Sequence, residues 1–251
     1  MKNDVLTVMW KERKGLFRVR GRRVQALLAM FSPVLLAVFF PLQEGVEWVQ
    51  SPLSLLLAFI APLILVGISI PDSFAGERER HTLGTLLASR LPDRAILFGK
   101  VAVSVAFAWG VTLAAILLGL VTVNVAHWQG KLLLLTPTIA LADLGLSFLL
   151  ATLAAGAGVV ISLRSETVQE AMQTLTAVLL LPPMLLGMVA TLMLRDQVGE
   201  LFRAFDGTRV LLIVVAVLTV LDVGVLAAGI ARFQRARLIL HQCREEPVTR
   251  T

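Results

Sequence analysis

The sequence predicts an all-α integral membrane protein. Six transmembrane helices are expected, with an N-terminal amphipathic helix at the membrane surface and a short cytoplasmic helix between spans 2 and 3. Three observations predict this. Apolar residues make up 57% of the 251 and charged residues only 16%, against about 45–50% and about 25% in soluble domains. Mean hydropathy is +0.83. Six apolar runs approach or exceed the roughly 20 helical residues that cross a hydrocarbon core, and they lack the period-two alternation of barrel strands. Disorder is excluded, because disordered chains are poor in apolar residues. Six spans leave no room for a large extra domain.

The chain, 1–251, reads as one transmembrane domain. In residues 1–23, Leu6, Met9, Trp10, Leu16 and Phe17 can share a helical face. Lys11, Lys14, Arg18 and Arg22 lie elsewhere around it. That pattern belongs to a helix lying in the inner interface. The first apolar run starts only near Val24, after a long basic stretch, so no cleavable signal peptide is expected. The spans are expected at about 24–42, 52–71, 96–126, 136–163, 171–194 and 210–231. The third is longer than a span needs and either projects into the cytosol or tilts. Residues 72–95 form the main cytoplasmic loop and 232–251 a cytoplasmic tail.

Orientation follows from Lys and Arg in the connections. Alternate connections carry 19 on one side and four on the other. Both termini are therefore expected in the cytoplasm, in a cell membrane, with an even number of spans. Trp48 and Trp128 fall in outer connections, where amphipathic rings suit the headgroups, and Trp10 does the same inside. The net charge of +6 is the basic inner face. No basic run is interleaved with stacking aromatics, so nucleic acid is not expected as a partner. Cys243 is the single cysteine and makes no internal disulfide. With only the scattered His81, His127 and His241, it builds no metal cluster.

The stretch from Asp72 to Lys100 is the sizeable polar segment between spans. Glu77, Arg78, Glu79 and Arg80 make a mixed-charge cluster. Thr82 can cap a short helix. Leu83, Leu86 and Leu87 then form one apolar stripe, which Pro92 stops. So small a helix cannot bury its own stripe, and it needs the membrane surface or another protein. Gly99-Lys100 is no phosphate-binding loop. Position 94 is Arg rather than glycine, and Val101 stands where Ser or Thr is required. Lys100 reads as a snorkelling residue where a helix enters the membrane.

The order Asp72, Gly76-Glu77-Arg78-Glu79, Thr82-Leu83, Leu86-Leu87, Pro92, Gly99-Lys100 resembles the cytoplasmic loop after the second span in permeases of ABC-type exporters. The family is the type-two ABC permeases, also described as the type V exporter fold. The residue-level likeness covers about 72–100, and the topology likeness nearly the whole chain. The resemblance implies that the loop is a coupling helix docked on a separate cytosolic ATPase. Glu77 and Glu79 would meet basic groups there, with Arg78 between them. Leu83, Leu86 and Leu87 would fill a cleft, and Thr82 would hold the helix start. It also implies a dimer with a second permease copy or homologue, embedded in membrane lipids. No cofactor is expected in this chain, and ATP and Mg belong to the ATPase. The chain would be a transport subunit and not itself an enzyme.

Two acids lie within expected spans, Asp143 in the fourth and Asp222 in the sixth. Such groups are costly in a bilayer and face the bundle interior or a wet cavity. Each serves either a translocation path or proton site, or is a structural group, bonded to a neighbouring helix or simply protonated. Pro182-Pro183 is expected to interrupt the fifth span, either for gating or as packing geometry. One small interfacial helix is expected in 195–209. Ala151, Ala154, Ala155, Gly156 and Gly158 permit close helix approach in the fourth span. An intramembrane enzyme is disfavoured, because no nucleophile–base pair lies at bilayer depth. A stand-alone secondary transporter or channel is the alternative, although it would ordinarily show more intramembrane charge and repeat symmetry.

Overall fold

The structure is a computed structural model that describes residues 5–12, 20–79, 92–128, 130–193 and 207–232. Among the described residues there is no strand. The helices are α1 (residues 5–12), α2 (Arg20–Glu44), α3 (Val46–Gln50), α4 (Ser54–Glu79), α5 (Asp93–Ala126), α6 (Pro137–Ser162), α7 (Val168–Met193) and α8 (Gly207–Arg232). A helix stands over each expected apolar run. Four of them, α4, α5, α6 and α8, hold stretches long and apolar enough to cross a membrane. They mark the chain as a membrane protein. In α2 the apolar part is the shorter Met30–Glu44.

The central helix is α4, which packs on α2, α5, α6 and α7. Its contact with α6 is the most extensive. Gly158 of α6 shows why: a Cβ there would lie 2.7 Å from Ile70 Cγ2, so the small residues do serve close packing. The core gathers Leu65, Val66, Ile70, Ile96, Leu150, Ala154 and Val159 around this seam. By contrast α8 leans chiefly on α6 and presents Leu212, Ile213, Val217, Val220 and Val223 outward.

Local chemistry sets the helix ends. Thr136 caps α6, its Oγ1 accepting from the Ile139 amide at 3.4 Å, and Pro137 opens the first turn. Helix α5 has 34 residues. At 1.5 Å per residue it is about 51 Å long, well beyond a hydrocarbon core of about 30 Å.

Several expectations need correction. The helix of span 2 does not end at 71, because α4 runs on to Glu79 through Pro62 and Pro71. Neighbouring helices pack round the freed backbone, as they can in a membrane bundle, and the polar residues after Pro71 find partners on the other helices. Pro182-Pro183 likewise does not break α7, which continues through both to Met193. Trp48 is not a headgroup anchor. It is 1% exposed, wedged with Val49 among Ala37, Ala115 and Ile116. Trp128 and Trp10 remain exposed. The expected helices at 82–91 and in 195–209 lie outside the described residues.

Candidate functional site

The site grows from the end of α4. Because that helix continues past Pro71, Ser73 and Glu77 fall one turn apart on the same face. Lys100, near the start of α5, reaches this face. Its Nζ donates to the Ser73 carbonyl at 2.6 Å. The same Nζ pairs with Glu77 Oε2 at 2.9 Å and with Glu12 Oε1 at 3.4 Å. It also lies 5.1 Å from the centre of the Phe74 ring, within cation–π range. Lys100 is 1% exposed, so it does not snorkel. A lysine buried so fully must be paired, and here two carboxylates from two other helices serve it.

Glu12 arrives on α1. That short helix buries Val8 and Glu12, one turn apart, and turns Leu6 and Trp10 outward. Gly99 permits the approach, since a Cβ there would lie 2.6 Å from Val8 Cγ1 and 2.7 Å from Val8 Cβ. Lys11, half exposed, adds a second cation 3.7 Å from Glu77 Oε1. Two lysines and two glutamates thus share one cluster.

The Gly-Glu-Arg-Glu run is divided within a single helical turn. Glu77 faces inward to Lys100. Arg78 turns to the end of α6, donating to the carbonyls of Leu163 at 2.8 Å and Ser165 at 2.9 Å. A guanidinium there suits the negative end of the helix dipole. Glu79 is exposed and borders an open cavity of about 850 Å³, lined also by Met172, Gln173, Thr176, Leu180 and Leu181. Glu77, expected to face a partner's basic groups, is therefore already held by this chain's own lysines, and Arg78 by its own backbone. Glu79 alone of the three points outward. Thr82, Leu83, Leu86 and Leu87 lie outside the described residues.

Nothing in the sequence pattern singled out Glu12, although it is an acid within a basic run. Lys100 lay eight residues into an apolar helix, and depth of that kind was its only signal.

Asp222 and Asp143 bear on different stretches of α6. Asp222 of α8 is 6% exposed and accepts from Thr152 Oγ1 of α6 at 2.7 Å. Asp143 is 2% exposed and faces Ser54 at the start of α4. Pro182 and Pro183 lie exposed on α7.

Helix α7 exposes Gln169, Gln173 and Thr176 along its first half, with Val178, Leu181, Met184 and Leu185 beyond. Chemically, the described surface offers a charged, clamped end, where α1, α4 and α5 meet, and a polar flank on α7. No family model matches the chain, and no curated protein matches it either.

Proposed function

We propose that this chain is the transmembrane subunit of an ATP-driven exporter of the type-two ABC permease class. In this reading six helices span the membrane with both termini cytoplasmic. A second copy or a homologue completes the translocation path, and separate cytosolic ATPase subunits drive it.

The observation that carries this assignment is the base of loop 80–91. The two stems of that loop are the end of α4 and the start of α5. Lys100 ties them to each other and to α1. A load applied to the loop is thus delivered to α4, the central helix of the bundle. The exposed Gln169, Gln173 and Thr176 of α7 support a second copy, which would give these groups a path to line. No phosphate-binding loop stands in residues 1–251, and in this reading the motor is a separate subunit.

The test is purification of the tagged chain from its native membrane, followed by reconstitution. An ABC-type ATPase should copurify, and transport should need ATP. A chain that purifies alone and transports on an ion gradient without ATP would overturn the assignment and favour a secondary transporter.

A further inference from the structure

The end of the bundle remote from the lysine cluster carries a segment that is neither helical nor buried. After α5, Gly130 turns the backbone with a φ of 79°. Residues 132–136 then run to α6 without helix or bend. Burial alternates along them. Leu132 and Leu134 are 71% and 68% exposed, whereas Leu133 and Leu135 pack against the cluster that holds Trp48 and Val123. Such period-two alternation belongs to an extended chain.

Asn124, in the last turn of α5, grips this segment. Its Oδ1 accepts from the Leu133 amide at 2.8 Å, and its Nδ2 donates to the Leu133 carbonyl at 2.8 Å. One side chain thus satisfies both backbone groups of one residue, as a neighbouring strand would. In an extended chain the residues on either side turn their N–H and C=O the other way. Those of Leu132 and Leu134 have no hydrogen-bond partner among the described residues.

Two requirements then fix what surrounds this edge. Unpaired backbone groups are not tolerated in hydrocarbon, where no water reaches them. Leucine side chains so exposed are unfavourable in water. Both requirements are met where headgroups join acyl chains: the backbone meets water there and the side chains meet lipid.

Helix lengths put the segment at that level. Ala126 ends α5 26 residues beyond Lys100, about 39 Å by helical rise. Pro137 of α6 stands 26 residues before Leu163, whose carbonyl Arg78 holds, which is again about 39 Å. A hydrocarbon core is about 30 Å thick, and a bilayer with its headgroups about 40–45 Å. Helices that enter at the level of the lysine cluster therefore leave the acyl chains before they reach Gly130. The flanking surface agrees. Val121 and Val125 of α5 and Leu141 of α6 are exposed, which makes the two leucines part of one apolar surface. Trp128 and Lys131 are exposed beside them, a ring that suits headgroups and an ammonium that suits lipid phosphates.

We propose that residues 132–134 are a non-helical lipid anchor at the end of the bundle remote from Lys100. The backbone lies in the headgroup layer, and the Leu132 and Leu134 side chains dip into the acyl chains. Slipping an extended segment by one residue exchanges its two faces, so Asn124 sets which leucines meet the lipid. The partner is the phospholipid leaflet itself. The anchor stands independently of the exporter assignment.

The test uses the full-length Cys243→Ser chain in phosphatidylcholine nanodiscs, with a nitroxide on Leu132→Cys or Leu134→Cys. Oxygen concentrates among acyl chains, and a neutral nickel chelate stays in water. Oxygen collisions should exceed nickel collisions several-fold at both sites, and adding Asn124→Leu should raise the nickel collisions several-fold. Should Asn124→Leu fail to fold, the unaltered chain still decides. A phosphatidylcholine with a diazirine near the head of its acyl chain should crosslink within residues 132–134 in peptide mass maps. Nickel collisions exceeding oxygen collisions at both sites would overturn the anchor. So would labels shielded from both reagents, which would mean a protein contact such as a second copy. Collisions unmoved by Asn124→Leu would overturn the role of Asn124.

Discussion

The Lys100 ammonium lies 2.9 Å from the Glu77 carboxylate, with 27, 23 and 65 residues separating Lys100 from Ser73, Glu77 from Lys100, and Glu12 from Glu77 along the chain. One buried cation therefore holds together three helices that the linear sequence keeps apart.

Removing that cation should be damaging. Lys100→Met takes its ammonium from buried Glu12 and leaves Glu77 only the half-exposed Lys11, and breaking a buried pair in this way costs about 3–5 kcal/mol. Denaturant unfolding in micelles should show the loss. A double-mutant cycle with Glu77→Gln should give a coupling of about 0.5–3 kcal/mol, and additive effects would mean that the two residues do not cooperate.

Gly99→Val should lift α1 from α5, because Val8 already occupies the space a Cβ needs. In a Cys243→Ser background, a cysteine placed at Val8 should resist maleimide when Gly99 is kept and react readily when it is replaced. Equal reactivity in the two backgrounds would show that α1 is not seated there.

In the exporter reading, one variant in residues 80–91 and one at the end of α4 separate docking from folding. Leu86→Asp should abolish capture of the ATPase and ATP-dependent transport while leaving thermal stability near that of the unaltered chain. Glu77→Lys sets a third cation against Lys100 and Lys11, so it should lose thermal stability as well as transport. Normal transport in both variants would remove the loop from the coupling role.

Thr152→Val removes the donor that serves Asp222. A buried acceptor left without its partner costs about 1–3 kcal/mol. Thr152→Ser keeps the hydroxyl and should recover most of the stability in the same unfolding assay.

The helical runs were legible because lipid imposes length and apolarity on a span, and residues such as Leu212–Val223 of α8 obey both constraints. The helix ends were harder to read. Pro71 and the polar residues after it look like a loop in one dimension, yet Lys100, Ser165 and Leu163 supply their partners from elsewhere in the bundle. Trp48 was misplaced for the same reason, since a tryptophan at a span end looks alike whether it faces headgroups or a pocket built by α2 and α5. Asp143 and Asp222 were visible as intramembrane acids. Their partners, Ser54 and Thr152, carry no distinguishing signal in a sequence rich in hydroxyls. Glu79 is exposed, whereas Glu77 and Arg78 are internal fasteners.

The lopsided seating of α8 bears on how the protein is made. Its main docking partner, α6, is synthesised well before it, and the tightest seam, between α4 and α6, is complete before α8 leaves the ribosome. The nascent bundle can therefore close in the bilayer before α8 arrives, and α8 then attaches sideways through Asp222 and Thr152.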